Sequence, residues 1–372
     1  MRLVQASLFL LLLLVLSLTS FSSRADENFD TLWQQAAKEH KAEWRMYEGE
    51  FQRKDEEFER LWQKRKGEIE KKWDEALRST KKEWIDYSPS LDSRSQVNFQ
   101  DGFVEVTAVV PAAEKDIPSR ADDLIAEQIR RVFSKDNASG TNVLGDQVAF
   151  EPDRPVSANT LPQFIEKTKK KAVVDKKPFV AKDGLPRVKV KIRFDLLPNH
   201  LQIRAKKYYR DVEECSRRFR VLPELVMAVI HTESYFNPLA VSPANAHGLM
   251  QLIPKYGARD AYRMVYGKDR LVPPDYLYVP KNNIELGTAY LSLLKNNSFS
   301  QVDDQNKRRF LVICSYNWGP GAVARKIVER NDVDGMAGQE LYQVLRERTP
   351  EETANYLERV TERMKIYARL FR

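Results

Sequence analysis

The chain has 372 residues, a formal net charge of +8, four histidines and only two cysteines. This length exceeds one average domain, so we expect two or three. The modest basic excess suits any polyanionic partner, and two cysteines do not make a disulfide scaffold. Because the histidines and cysteines occur singly, the sequence predicts neither a metal site nor a cofactor.

Residues 1–25 have the features of a secretory signal peptide. Arg2 precedes a leucine-rich apolar run, and Ser23-Arg24-Ala25 places small residues at positions −3 and −1 of a cleavage site. Export to the periplasm is expected, and it argues against a nucleic-acid partner. No Cys directly follows the leader, so a lipoprotein anchor is not expected. Membrane contact would arise only if the leader stayed uncleaved.

Residues 26–87 are predicted to form a charged, Trp-rich helical or coiled-coil extension. Eleven residues are close to three helical turns, so a residue type repeated at that interval forms one stripe. An aromatic residue recurs at this interval, at Phe51, Trp62, Trp73 and Trp84. The stripe either folds back on its own chain or pairs through residues 26–86 with a second copy or another protein. Both alternatives are open at this stage.

The next region, residues 88–197, is predicted to be a small α+β domain. Strands are expected at 97–99 and 103–110, with Asp101-Gly102 as the hairpin turn between them. A helix is expected at 121–133, and residues 187–197 alternate like a strand with one solvated face.

From Pro198 onward the sequence has helical spacing, and Pro, Gly and Asn occur at the joints. This predicts an all-α domain over 198–372, so the fold class is α+β multidomain. Cys215 and Cys314 fall in this domain, either as a disulfide or as two buried thiols.

Glu233 has an unusual setting within the helical region. A helix that opens at Pro223 carries Val226, Val229 and Ile230 on the stripe that ends at Glu233. Burial disfavours a charged carboxylate, so a glutamate there would hold its proton near neutral pH, as a general acid must. On these residues alone, a structural core glutamate is the default interpretation.

Further motifs follow Glu233 in a fixed order and change that interpretation. They are ES-x-x-x-P at 233–238, AVS at 240–242, GLMQ at 248–251, SYNWGPG at 315–321 and ETANY at 352–356. Together they resemble the soluble lytic transglycosylase family, which implies a goose-lysozyme-like α fold. SRSQVNFQDGFVEV and LLPNHLQIRAKKY resemble the amino-terminal domain of the membrane-bound lytic murein transglycosylase C family. Residues 26–86 resemble no family.

The resemblance implies a peptidoglycan (murein) lyase of the cell wall with Glu233 as its single catalytic acid and base. It implies cleavage of the β-1,4 bond between N-acetylmuramic acid and N-acetylglucosamine, with formation of a 1,6-anhydro end. Glycan strands would therefore be the partner, without a metal or cofactor. Substrate-binding or orienting roles are implied for Ser234, Ser242, Met250, Gln251, Tyr316, Asn317 and Tyr356. His231 and His247 flank the motifs and are interpreted as rim or packing residues.

Two alternatives remain at this stage. In a muramidase, water would replace the C6 hydroxyl of the muramoyl sugar; in a non-catalytic scaffold, the extension would assemble a wall-binding complex. A muramidase would want a second carboxylate to activate water, and no Asp or Glu lies between Glu233 and Asp260. Whether cleavage occurs at chain ends or within strands is left open.

Overall fold

The computed structural model describes residues 56, 59–135, 142–144, 146–151, 154–175 and 177–370. The predicted leader and most of the predicted extension lie outside these residues. Leu61–Arg372 form one compact unit. Its described residues combine helices with an antiparallel sheet, which confirms the mixed helix and sheet class.

Residues 83–197, called here the sheet part, hold the strands of the described unit. The strands are β1 (Glu83–Tyr87), β2 (Ser93–Asn98), β3 (Phe103–Pro111), β4 (Ala149–Glu151), β5 (Arg154–Pro155), β6 (Val173–Val174), β7 (Phe179–Val180) and β8 (Pro186–Asp195). The main sheet runs in the order β1-β2-β3-β8-β6, and β7 also pairs with β8. Strands β4 and β5 form a separate hairpin.

Two helices, α1 (Ile117–Phe133) and α2 (Leu161–Lys169), pack on this sheet. The predicted alternation in β8 is confirmed, because Val188, Val190, Ile192 and Phe194 are all buried. Their side chains join α1 in one hydrophobic core. The predicted hairpin turn is also present, with Gly102 at φ +72° between β2 and β3. Helix α1 begins four residues earlier than predicted, where Asp116 caps it.

The prediction of helix through residue 86 is wrong for its last part. Within the described unit only residues 61–70 of this segment are helical, and β1 begins at Glu83. The regularly spaced aromatic side chains are instead buried in two separate hydrophobic cores. Trp73 is 1% exposed beside Ile69, and Trp84 is buried in the core of the sheet part. Hydrogen bonding of β1 to β2 then replaces helical hydrogen bonding.

Residues 198–370, called here the helical part, are helical apart from loops and isolated bridges, as predicted. The helices are α3 (His200–Lys206), α4 (Tyr209–Phe219), α5 (Pro223–Ser234), α6 (Gly257–Tyr266), α7 (Pro274–Leu277), α8 (Pro280–Leu293), a π-helix (Leu294–Ser298), α9 (Gln305–Trp318), α10 (Pro320–Lys326), a 3-10 turn (Val328–Arg330), α11 (Gly338–Arg348) and α12 (Glu351–Tyr367). Helix α5 packs against α12, α4 and α8 within a second core.

Both cysteines are free and buried, which answers the open question about a disulfide. Burial raises the pKa of the Cys215 thiol to about 12, so this thiol stays protonated and unreactive at neutral pH. In the described ranges no helix is long and apolar enough to cross a bilayer.

Candidate active site

Helix α5 places Glu233 in its last turn. Residues 225–231 of this helix are buried, and the Glu233 residue is only 5% exposed. The helix ends at Ser234 because Tyr235 and Phe236 both adopt positive φ, at 50° and 61°. Left-handed backbone at two successive non-glycine residues is uncommon and often marks functional sites. The sequence prediction of a buried glutamate at a helix end is correct.

Ser234 is fully buried and fixes the end of α5 to the next loop. Its Oγ lies 2.7 Å from the Leu249 carbonyl oxygen and 3.0 Å from that of Ile230. The hydroxyl therefore holds backbone atoms in place and is not bonded to the Glu233 carboxylate. It supports Glu233 through the backbone.

The loop of residues 240–252 forms the adjoining wall. His247 pairs with Val241 and Leu252 through isolated bridges, and the Ser242 hydroxyl accepts a hydrogen bond from the Ala246 N–H. Gly248 has φ +75°, and a Cβ there would collide with the Leu277 carbonyl oxygen and the Asn283 amide. A glycine is required at this position.

Asn283, which the sequence analysis did not single out, organises the same loop. Its side-chain amide donates to the carbonyl oxygens of His247 and Leu277, both at 2.9 Å, and its Oδ1 accepts from the Met250 N–H at 2.7 Å. Asn283 is fully buried within α8. No local signal separates it in the sequence, because Lys281, Asn282 and Glu285 surround it.

Gln251 and Met250 occupy this loop differently. The Gln251 amide nitrogen donates to the carbonyl oxygens of Ala240 and Gly248, both at 3.0 Å, and its Oε1 is buried without a hydrogen-bond partner among the described residues. Met250 is fully buried, against Gly287 of α8. The geometry therefore leaves an acceptor on Gln251 and makes Met250 a core residue.

Tyr316 and Asn317 lie at the end of α9. The Tyr316 hydroxyl donates to the Met250 carbonyl oxygen at 2.8 Å, and Asn317 Oδ1 accepts from the Thr353 hydroxyl at 2.7 Å. Burial and the nearby charge of Glu233 raise the pKa of Tyr316 well above its usual value. Tyr316 therefore stays a neutral hydroxyl.

Tyr356 of α12 is the second hydroxyl directed toward Glu233. The residue is 4% exposed, and its hydroxyl faces the Glu233 carboxylate without completing a hydrogen bond of normal geometry. Burial and then the Glu233 charge raise the pKa of Tyr356 well above its usual value. A buried, unpaired hydroxyl beside an acid is a donor available for a substrate or for that acid.

Lys81 completes the surroundings of Glu233, and sequence reasoning missed it. Its Nζ lies 3.0 Å from Glu233 Oε2. Lys81 lies just before β1, so the segment that leads into the sheet part contributes to a site otherwise built by α5, α9 and α12. No local signal separates it from the other lysines of a strongly charged segment.

The two flanking histidines are packing residues, as predicted. His231 Nδ1 lies 3.1 Å from the Tyr367 hydroxyl, and His247 Nδ1 lies 3.0 Å from the Tyr278 hydroxyl. Burial, followed by neighbouring cations, lowers the pKa of His231 to about 3 and that of His247 to about 4. Both rings are therefore neutral at working pH. Among the residues that the structure describes, no cluster of His, Cys, Asp and Glu suits a metal ion.

Comparison with known families now bears on this site. Residues 211–337 match the Transglycosylase SLT domain, and residues 51–121 match the N-terminal domain of membrane-bound lytic murein transglycosylase C. Membrane-bound lytic murein transglycosylase C of Salmonella arizonae is 32% identical over 313 residues, covering 79% of this chain and 84% of that protein. The chain belongs to the membrane-bound lytic murein transglycosylase C family. It is an enzyme, a peptidoglycan lytic transglycosylase.

Other relatives agree in identity and coverage. The membrane-bound lytic murein transglycosylase C of Klebsiella pneumoniae subsp. pneumoniae is 33% identical over 319 residues, with 79% of this chain and 84% of that protein covered. Among solved structures, the lytic transglycosylase Slt of Pseudomonas aeruginosa is similar, with a TM-score of 0.37 and 27% identity. That similarity covers 44% of this chain, and the chain spans only 24% of that structure's length. The match to the amino-terminal domain of the family begins at residue 51, inside the segment for which sequence analysis found no relative.

Proposed function

We propose that Glu233 is the single acid and base of this lytic transglycosylase and acts on the bond between N-acetylmuramic acid and N-acetylglucosamine. The observation that carries this is its position: a carboxylate buried at the end of an apolar helix, with two neutral tyrosine hydroxyls and one lysine around it. Such a setting suits a group that gives up and takes back a proton.

The reaction balances without water as a reactant. Protonated Glu233 donates its proton to the glycosidic oxygen, and the bond from that oxygen to the muramoyl C1 breaks. The C6 hydroxyl of the same muramoyl sugar then attacks C1, and the Glu233 carboxylate accepts the hydroxyl proton. The products are a free 4-hydroxyl and a 1,6-anhydro end, and Glu233 is again protonated.

Other residues of the site have supporting roles in this proposal. The Tyr356 hydroxyl steadies the Glu233 carboxylate while it is charged, since it is buried nearby and has no completed hydrogen bond. Gln251 offers its free Oε1 to a sugar hydroxyl or N-acetyl N–H. Ser234, Ser242, Met250, Tyr316 and Asn317 hold the loop and helix ends in place.

A muramidase is the less favoured reading of this site. Hydrolysis with one acid requires a base that activates water, and most glycosidases supply it as a second carboxylate. The titratable groups found to interact with Glu233 are Lys81, Tyr316 and Tyr356. None of these is a carboxylate, so capture of C1 by the sugar's own hydroxyl fits better.

The test is product analysis on purified peptidoglycan sacculi. The parent enzyme should release muramoyl products that are about 18 Da lighter than reducing ends, and Glu233→Gln should lower the rate by at least about a thousandfold. Circular dichroism and sacculus pull-down should be unchanged in the variant, because Gln is isosteric with Glu. Parent-like clearing by Glu233→Gln would refute the role of Glu233, and reducing ends alone would indicate hydrolysis.

We further propose two domains within the described unit, 88–197 and 198–372, the second with a lysozyme-like fold. Two observations support this division: separate hydrophobic cores and the match of residues 211–337 to the Transglycosylase SLT domain. Export by the predicted signal peptide would place the enzyme in the periplasm without a lipid anchor. Its relatives are named membrane-bound, so cell fractionation of the tagged full chain is the check.

A further inference from the structure

The contact between Lys81 and Glu233 joins parts of the chain that are 152 positions apart. Lys81 lies between the helical residues 61–70 and β1, and Glu233 lies at the end of α5. The Glu233 side chain is 7% exposed, whereas that of Lys81 is 37% exposed. The ammonium therefore reaches a nearly buried carboxylate from the solvent side.

Lys81 is one of three cations that its segment places along this side of the helical part. Lys82 Nζ lies 5.9 Å from the ring centroid of Tyr235. Burial and then the charge of Arg78 lower the pKa of His247. Lys81 itself bonds to Glu233, at 3.0 Å. The segment therefore lies along the helical part beside the site.

The groups that face Glu233 from other elements do not supply a competing charge. Tyr316 of α9 and Tyr356 of α12 interact with Glu233, and the pKa of each is raised well above its usual value. Both remain neutral at working pH. Lys81 therefore supplies a cation that balances the charge of Glu233.

We propose that Lys81 is a positioning residue that controls how readily Glu233 releases and regains its proton during the lytic reaction. This inference rests on the proposed function of Glu233. When Glu233 donates its proton to the glycosidic oxygen, a carboxylate forms beside the Lys81 ammonium. The ammonium stabilises that carboxylate until the C6 hydroxyl returns a proton to it.

The same contact predicts which kinetic constant depends on Lys81. The Glu233 carboxylate forms only when the proton is transferred, so an ammonium 3.0 Å away stabilises the reacting state more than the bound substrate. Removing the ammonium should therefore lower kcat and leave KM near its parental value. A lysine with only a structural role would not separate these two constants.

The experiment measures kcat and KM on a soluble glycan strand for the parent, Lys81→Met and Lys81→Arg. In Lys81→Met kcat should fall by about tenfold, since the new carboxylate loses its cation. KM should stay within about twofold of the parental value, because the lost interaction is made in the transition state. Lys81→Arg keeps the charge and should restore most of kcat.

Lys82→Met is the matched control, because it removes a neighbouring cation that interacts with the Tyr235 ring instead. Its kcat and KM should match those of the parent. A parental kcat in Lys81→Met, or the same loss of kcat in Lys82→Met, would overturn the inference. Glu233→Gln is measured alongside: if it is inactive while Lys81→Met keeps the parental kcat, only the role of Lys81 fails. If Glu233→Gln is active, the proposed function fails.

Discussion

At the residue scale, His231 shows how the site is insulated from solvent. It lies two positions before Glu233, with its ring 5.3 Å from that of Tyr235, 5.8 Å from that of Phe236 and 5.9 Å from that of Tyr367, measured between centroids. Burial, then Arg363 and Arg204, lowers its pKa to about 3. The folded protein therefore keeps this ring neutral under conditions in which an unfolded chain would protonate it.

We predict that stability falls as the pH falls from about 6.5 toward 3. In that window an unfolded His231 binds a proton and the folded one does not, so the unfolded state takes up more protons and is favoured on acidification. The slope for one such histidine is about 1.4 kcal/mol per pH unit. Urea unfolding should be measured at pH 7 and pH 5. Between these values the free energy of unfolding should fall by about 1–2 kcal/mol less in His231→Gln than in the parent. Equal losses would contradict this account.

Sequence reasoning succeeded for residues whose setting is local. The burial of Glu233 follows from its place on an apolar helical stripe, and the packing roles of His231 and His247 were also predicted. It failed for Lys81, because that contact depends on how distant segments are brought together. For Met250 a sugar contact was implied by the resemblance, and the structure places the side chain in the core.

At the scale of elements, α3 connects the sheet part to the end of α5 through Arg204. Arg204 is 3% exposed as a residue, and its guanidinium donates to the carbonyl oxygens of Phe99 and Tyr235, both at 3.0 Å, and to Gln147 Oε1 at 2.6 Å. Burial lowers the pKa of Arg204 to about 9, so the group is still charged at neutral pH. One side chain thus links the residue after β2, the residues before β4 and the end of α5.

We predict that Arg204→Met lowers the free energy of unfolding by about 3 kcal/mol, because three acceptors lose their donor in a buried place. The rate of sacculus cleavage should fall as well, since Tyr235 directly follows the helix that carries Glu233. Urea titration with a turnover assay measures both. Arg210→Met, which changes an exposed arginine on α4, is the control and should stay within about 0.5 kcal/mol of the parent. Parental stability in Arg204→Met would show that this link is dispensable.

Elements with strong local patterns were predictable, and β1 was not. The alternation of β8 and the apolar stripe of α5 each match their observed element. The strand at Glu83–Tyr87 was hidden because its sequence is highly charged and continues an aromatic spacing typical of a helix. Its pairing with β2 and the burial of Trp84 are long-range effects, which local spacing does not encode.

At the scale of the whole molecule, the aromatic stripe of Phe51, Trp62, Trp73 and Trp84 divides into a described and an undescribed portion. Its members from Trp62 to Trp84 pack within the described unit, which supports the interpretation that this portion folds back on its own chain. Phe51, the first member of the stripe, lies outside the described residues. Self-association or partner docking is therefore proposed only for the segment that precedes residue 59.

We predict that deleting residues 26–58 from the mature chain lowers its mass in light scattering from that of an oligomer to that of a monomer. This deletion leaves Trp62, Trp73 and Trp84 in place, so the described cores stay intact and the loss reports on the removed segment. Melting temperature and sacculus cleavage serve as controls and should stay near those of the parent. A monomeric full-length chain would argue against self-association.

The groups around Glu233 come from positions 81, 316 and 356, which span most of the polypeptide. In a chain that crosses a membrane amino end first, Lys81 would emerge early and Tyr356 almost at the end. Peptidoglycan cleavage would then begin only after export is nearly complete, so incompletely exported or truncated chains would not damage the surrounding cell wall.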